Sequence, residues 1–258
     1  MSGGVKGVCL VAGVGPGIGQ SVARVFCRQG FTVVAVRRRE HQLQPLVTAI
    51  NREGEGEQWG PCQGLACDLR REDEVVRLVE RVEAEVGPIE CAVHNIGANI
   101  GHVALADTST RVFTKVWELA ALSAFLLCRE AGARMQARGR GSILVTGATA
   151  SVRGGAGFSA FSSAMMAKRA VAQSAARELG PRGVHVAHVV VDGIVDNPNT
   201  EKFFAEKDEK FSRLFAEKSA TAGLIRPESV AELYHQLHTQ DKSVWTHELD
   251  IRPWIEKW

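Results

Sequence analysis

The 258-residue sequence predicts an α/β protein: one doubly wound parallel sheet of about seven strands with helices on both faces. Two observations carry that expectation. Short apolar runs alternate along the chain with amphipathic stretches, and the apolar runs are nearly unbroken, as strands buried on both faces must be. The first of these runs opens into a glycine-rich turn and then directly into a helical pattern.

In order, the strands are read at Gly7–Ala12, Thr32–Val36, Gly64–Cys67, Ile89–His94, Ser142–Thr146, His185–Val191 and Glu248–Ile251. The helical stretches between them include Ile18–Gln29, Glu72–Val86 and Arg111–Arg138. Right-handed crossovers between parallel strands then place helices on both faces of a Rossmann-like sheet. No Pro/Ser-rich linker divides the chain, so residues 1–258 are read as one domain. The segment 194–226 is polar, and from Pro198 to Thr221 it is helix-prone. It carries Phe203, Phe204, Phe211 and Phe215 at roughly helical spacing, and is read as a substrate lid or as ordinary packing.

Composition narrows the function classes. A net charge of +2, with no basic run longer than Arg37-Arg38-Arg39, argues against nucleic-acid binding. The six cysteines are scattered without a C-x-x-C pair and read as buried thiols of a reducing compartment, with no metal site. No apolar run is long enough to span a bilayer, so the expected location is cytoplasmic.

The turn after the first strand reads Ala12-Gly13-Val14-Gly15-Pro16-Gly17-Ile18-Gly19. Glycines there let the backbone approach a pyrophosphate, and the helix starting at Ile18 offers N–H groups and a positive dipole end. The second strand ends in Arg37-Arg38-Arg39, with no acid before Glu40. Guanidinium groups bind phosphate bidentately, so Arg37 and Arg38 favour a 2′-phosphate and hence NADP over NAD. Asp68, followed by Leu69, ends the third strand; it either accepts from an adenine amino group or caps the next helix. His94-Asn95-Ile96-Gly97 ends the fourth strand in a tight turn.

These features, in this order, resemble the short-chain dehydrogenase/reductase (SDR) family along nearly the whole chain. The family's T-G-x-x-x-G-x-G corresponds to Ala12-Gly13 through Gly17-Ile18-Gly19, and its N-N-A-G to His94 through Gly97. Its loop after strand six, P-G-x-x-x-T, corresponds to Asp192-Gly193-Ile194-Val195-Asp196-Asn197. The resemblance implies a dinucleotide site that includes Gly13, Gly15, Gly17, Ile18, Gly19, Arg37, Arg38, Asp68, Leu69, Asn95, Gly97, Gly193 and Val195. It also implies a homodimer or homotetramer, and an unknown small-molecule substrate.

The family's chemistry depends on a tyrosine that moves a proton, a lysine one helical turn later, a serine and an asparagine. By the resemblance these positions fall at Phe161, Met165, Ala148 and Ala120, so all four polar groups are replaced. The only tyrosine, Tyr234, lies far downstream, and Lys168 sits in the turn after Met165. Asp192, His102 and Ser162 are the candidate substitutes, although the plainer readings, Asp192 as a cap of its turn and His102 as a solvated loop residue, are favoured for those two. His185 and His188 read as cross-sheet packing. The expectation is an NADP(H)-binding homologue that is non-catalytic or atypical; the alternative is an active NADP-dependent oxidoreductase of carbonyls or alcohols with unconventional acid–base groups. Three tryptophans in the last fourteen residues predict a tail packed on a neighbouring subunit or over a pocket.

Overall fold

The computed structural model describes residues 6–97, 99–198, 200, 202 and 209–256, without the side chains of Lys210 and Phe211. Seven strands form one all-parallel sheet: β1 Val8–Ala12, β2 Thr32–Arg37, β3 Cys62–Ala66, β4 Ile89–His94, β5 Ser142–Thr146, β6 His185–Val191 and β7 Glu248–Ile251. Their spatial order is β3-β2-β1-β4-β5-β6-β7. The order reverses between β1 and β4, and a crevice opens at the carboxyl ends of strands at such a switch point.

Burial explains the strands. All five residues of β1 and all seven of β6 are buried, which is why neither shows an apolar/polar alternation. The helices are α1 Ile18–Arg28, α2 Glu40–Glu53, α3 Glu72–Glu85, α4 Thr110–Trp117, α5 Ser123–Arg138, α6 Ser159–Leu179, α7 Glu209–Ala220 and α8 Pro227–His238. One core face packs α1, α2 and α8 through Val22, Phe26, Leu43 and Tyr234; the other packs α3, α5 and α6 through Val79, Leu127, Met135 and Ala172.

Two elements, the third strand and the long helix before β5, differ from the sequence expectation. The third strand begins earlier, at Cys62, because Leu43 and Val47 of α2 close directly over Gly64, where a Cβ would lie 3.0 Å from Leu43 Cδ2. Helix α2, which follows the arginine run, buries Leu43, Val47 and Ile50 at helical spacing despite Pro45. The long helix expected over Arg111–Arg138 is broken by a π-helical turn, Glu118–Leu122, between α4 and α5. There Ser123 Oγ donates to Leu119 O at 2.5 Å, drawing the backbone out of the regular ladder.

Of the aromatic tail, Trp245 stacks on His185 with ring centroids 5.0 Å apart, whereas Trp254 is 83% exposed. Within the chain the tail is thus half-buried at Trp245 and buried at Pro253, while Ile255 closes over Gly223; Trp258 lies outside the described residues. In the segment 194–226, Phe203 and Phe204 and the side chain of Phe211 are likewise outside them. Its two ends are joined by a parallel bridge, Val195 to Ile225.

Candidate cofactor and active site

At the switch point the glycine turn is built by close approach. Gly13 has φ +96°, and a Cβ there would lie 2.8 Å from Asn95 O. A Cβ on Gly19 would lie 2.5 Å from Gly13 O, so both positions require glycine. Asn95 Nδ2 donates to Gly13 O at 3.1 Å, locking the turn after β4 to the turn after β1. Gly15 and Gly97, by contrast, face open space. Helix α1 starts at Ile18 with no side-chain cap and no acid in its first turn, the arrangement that suits a bound anion.

A cleft of about 430 Å³ opens beside this turn, lined by Gly13, Arg37, Arg38, Arg39, Gln42, Asp68, Leu69, Arg70, Ile96, Leu119 and Ser123. Four of these carry guanidinium groups and one a carboxylate. That carboxylate, Asp68, is gripped by Arg70 Nε at 2.8 Å and Nη2 at 2.5 Å, and the grip holds it below the usual carboxylate range. Arg37 donates only a long 3.4 Å bond to Gln42 O, and burial together with the charge of Arg39 pushes its pKa down. A cluster of like charges in a cleft favours an incoming phosphate.

The capping reading of Asp68 does not hold. The N-cap of α3 is Arg71, without a side-chain cap bond, while Glu74 Oε2 accepts from Asp68 N at 2.8 Å. Gly193 and Val195 belong to the loop after β6. Gly193 is pressed against Ile225 and Pro253, and Val195 packs on the core under α1 and α8. Asn197 of the same loop lies over Gly17, so this loop and the glycine turn face each other.

The four positions matched to the proton-transfer set do come together. Ala120, Met165, Ala148 and Phe161 share one apolar cluster with Val116, Ala160 and Ala164, where α4, the π-helical turn and α6 meet. No group in that cluster can pass a proton. Tyr234 is on the other face of the sheet, fully buried, with its hydroxyl 2.7 Å from Thr146 Oγ1; burial drives its pKa upward.

The candidate substitutes do not converge. Thr149 Oγ1 donates to Asp192 Oδ1 at 2.5 Å, and Arg252 Nε lies 3.3 Å from Oδ2, so this carboxylate is held by internal partners. His102 is exposed, with its ring edge-on to Phe158. Ser162 is buried on α6, its hydroxyl without a hydrogen-bond partner. His185 lies between the carbonyls of Leu237 (3.1 Å from Nδ1) and Thr246 (2.8 Å from Nε2) and as a neutral ring donates to one of them, and His188 pairs with Glu248 Oε2 at 2.9 Å; both face internal partners.

Lys168, which the sequence places one turn beyond Met165 as a group that could reach the site, is the unexpected element. It is fully buried on α6, and its Nζ donates to Ile96 O at 2.8 Å and Thr146 O at 2.7 Å. Burial pushes its pKa from 10.5 down to about 7. Nearby, Ser123 has spent its one proton on Leu119 O, so His94 must donate from Nε2 to Ser123 Oγ across 2.8 Å. His94 is held neutral by burial and by the Lys168 charge. The pattern that marks Lys168 is a lone lysine within an otherwise apolar helical face, Ala164-Met165-Lys168-Ala172.

That burial has a measurable consequence. The unfolded chain keeps the Lys168 proton up to about pH 10.5, whereas the folded chain sheds it near pH 7. Between those values the unfolded state binds more protons, so stability rises with pH, and the contribution is lost as pH falls through 7. Urea titrations from pH 6.5 to 10 are expected to show this rise, and Lys168→Met to flatten it; equal slopes would refute the assignment.

A family model described as "Enoyl-(Acyl carrier protein) reductase" matches residues 13–248. The chain belongs to the short-chain dehydrogenase/reductase family. A crystal structure of a short-chain dehydrogenase from Rhodopseudomonas palustris is 40% identical, with a TM-score of 0.78 over 96% of this chain and 98% of that one. A short-chain dehydrogenase/reductase of Armillaria gallica is 28% identical over 93% of this chain and 91% of its own length. Two more distant SDR-fold structures carry different cofactors. A metagenomic short-chain oxidoreductase holds NADP (23% identity, TM-score 0.77, 96% and 97% coverage). A xylitol dehydrogenase holds NAD+ (18% identity, TM-score 0.84, 95% and 97% coverage). Among the described residues no His/Cys/Asp/Glu cluster could hold a metal, and no helix is long and apolar enough to cross a membrane.

Proposed function

We propose that this SDR-family chain is an NADP(H)-binding protein whose usual proton-transfer residues are replaced, working as a non-catalytic or atypical oxidoreductase. The observation that carries the reading is the pairing of two neighbouring sites. One is a cleft with Arg37, Arg38 and Arg39 beside a glycine turn, and the other an apolar cluster of Ala120, Ala148, Phe161 and Met165. The residues fit the dinucleotide. The uncapped start of α1 would hold the pyrophosphate, and Arg37 and Arg38 the 2′-phosphate. Bound NADPH would supply a hydride; this chain's part is to orient the dinucleotide and shield it from water, with no side chain in the apolar cluster able to deliver the matching proton.

In this reading residues 1–258 form one cytoplasmic domain, with 194–226 as a lid over an unknown small molecule. The chain works as a homodimer or homotetramer. Supporting association, Phe113, Trp117, Phe125 and Met166 are exposed on α4, α5 and α6. A groove of about 630 Å³ also runs between α5 and α6.

The test is a fluorescence titration with NADPH followed by a carbonyl panel. Micromolar or tighter binding without turnover is the expected result. Steady NADPH oxidation that disappears in Asp192→Asn or His102→Ala would overturn it in favour of an active enzyme with unconventional acid–base groups.

A further inference from the structure

We propose that the buried amine of Lys168 is this chain's own electrostatic anchor for the dinucleotide, taking up a proton from solvent as the anionic cofactor enters the cleft. The inference rests on the cofactor reading above and adds to it a residue outside the positions the SDR resemblance assigns.

The geometry comes first. Lys168 Nζ bridges the backbone of Ile96, in the turn after β4, and of Thr146, at the end of β5. Ile96 is part of the cleft wall, and its Cγ1 lies 2.9 Å from where a Cβ of Gly13 would be. The amine therefore stands directly behind the floor on which the dinucleotide rests, sealed from water. Two carbonyl oxygens are its hydrogen-bond partners, and a neutral –NH2 has two N–H groups to give them. The empty protein thus accommodates the neutral amine fully, while a third proton has no acceptor among these bonds.

The groups facing Lys168 leave its charge uncompensated. From β4 comes His94, held neutral, with Nδ1 lacking a partner. From α5 come the Cys128 thiol, pushed up to about 12 by burial, and Ser123. From β6 comes His188, pushed down to about 4 by burial and turned toward Glu248, which Arg169 of α6 also holds. Among the described residues no carboxylate bonds the amine, so its protonation is governed by burial and by what occupies the cleft. A dinucleotide brings several negative charges to the other side of the Ile96 backbone. In a low-dielectric interior that field favours the ammonium. The process is simple addition: one proton moves from buffer to Nζ, and no bond to the cofactor forms or breaks.

The test is calorimetric titration of the full chain with NADPH at pH 8, in Tris and in phosphate, whose ionisation enthalpies differ. At that pH a 2′-phosphate is already fully ionised, its second pKa being about 6, so it contributes no proton of its own. The expected result is uptake of about half a proton or more per site, with Kd weakening several-fold from pH 7 to pH 9. In Lys168→Arg, which cannot lose its charge, and in Lys168→Met, which has none, uptake falls to near zero and the Kd loses its pH dependence. NADPH binding without proton uptake in the unsubstituted protein, or uptake that persists in Lys168→Met, overturns the proposal and leaves the cofactor reading standing. No binding heat and no thermal shift with NADPH at any pH would overturn both.

Discussion

Replacing Arg37 and Arg38 together with alanine is expected to weaken NADPH binding by about 10²-fold while leaving NADH binding within about threefold. The magnitude follows from charge-assisted hydrogen bonds worth roughly 1.5–3 kcal/mol each, against about 1.4 kcal/mol per factor of ten. Both side chains line the cleft, and neither makes a salt bridge among the described residues that would already satisfy it. The carboxylate of the cleft, Asp68, is gripped by Arg70, with Arg38 adding only to the field around it. Comparing the two cofactors on one protein separates loss of phosphate recognition from a general loosening of the turn. Equal losses for NADPH and NADH would mean that the arginines support the fold of the cleft and do not read the 2′-phosphate.

The second large effect concerns the apolar cluster. Restoring Tyr, Lys, Ser and Asn at Phe161, Met165, Ala148 and Ala120 together is expected to raise carbonyl reduction with NADPH by on the order of 10²–10⁴, the contribution of positioned acid–base groups. The four positions already share one cluster, so the shape into which those groups would fit is present. Met165→Lys places a second cation on the helix that carries Lys168, so thermal stability must be followed alongside rate. A protein that already reduces carbonyls efficiently, and gains nothing from the fourfold change, would show that the cluster is not where its proton comes from. Partial sets are expected to give little, because groups that act as a unit are strongly non-additive.

Much of this was legible in the chain. Apolar runs such as Gly7–Ala12 and His185–Val191 predict buried parallel strands; the first begins one residue later, at Val8, and the second matches end to end. The glycine turn was legible for a steric reason: Gly13 and Gly19 stand where a Cβ would strike backbone. The bounds of α2 were not legible, because its polar face and Pro45 obscure the spacing of Leu43, Val47 and Ile50. The π-helical turn was missed because its cause is the Ser123 bond back to Leu119, which a heptad-like pattern does not encode.

At the site the division is sharper. The sequence by itself determined which residue types stand at the four positions matched by the resemblance, and phenylalanine, methionine and alanine cannot transfer protons wherever they lie. It also determined the order of the strands in the chain, the glycine turn, and the run of three arginines after β2. Only the tertiary structure decided that the four degenerate positions form a single apolar cluster, and that Asp68 is held by Arg70 instead of capping α3. Only it showed that Asp192 is occupied by Thr149 and Arg252. It alone placed Lys168 in a sealed space between Ile96 and Thr146, far apart in sequence but side by side at the ends of adjacent strands. The physical reason is that residue type fixes what a group can do, whereas burial and partners, which fix its charge and its neighbours, exist only once the sheet and helices have closed around it.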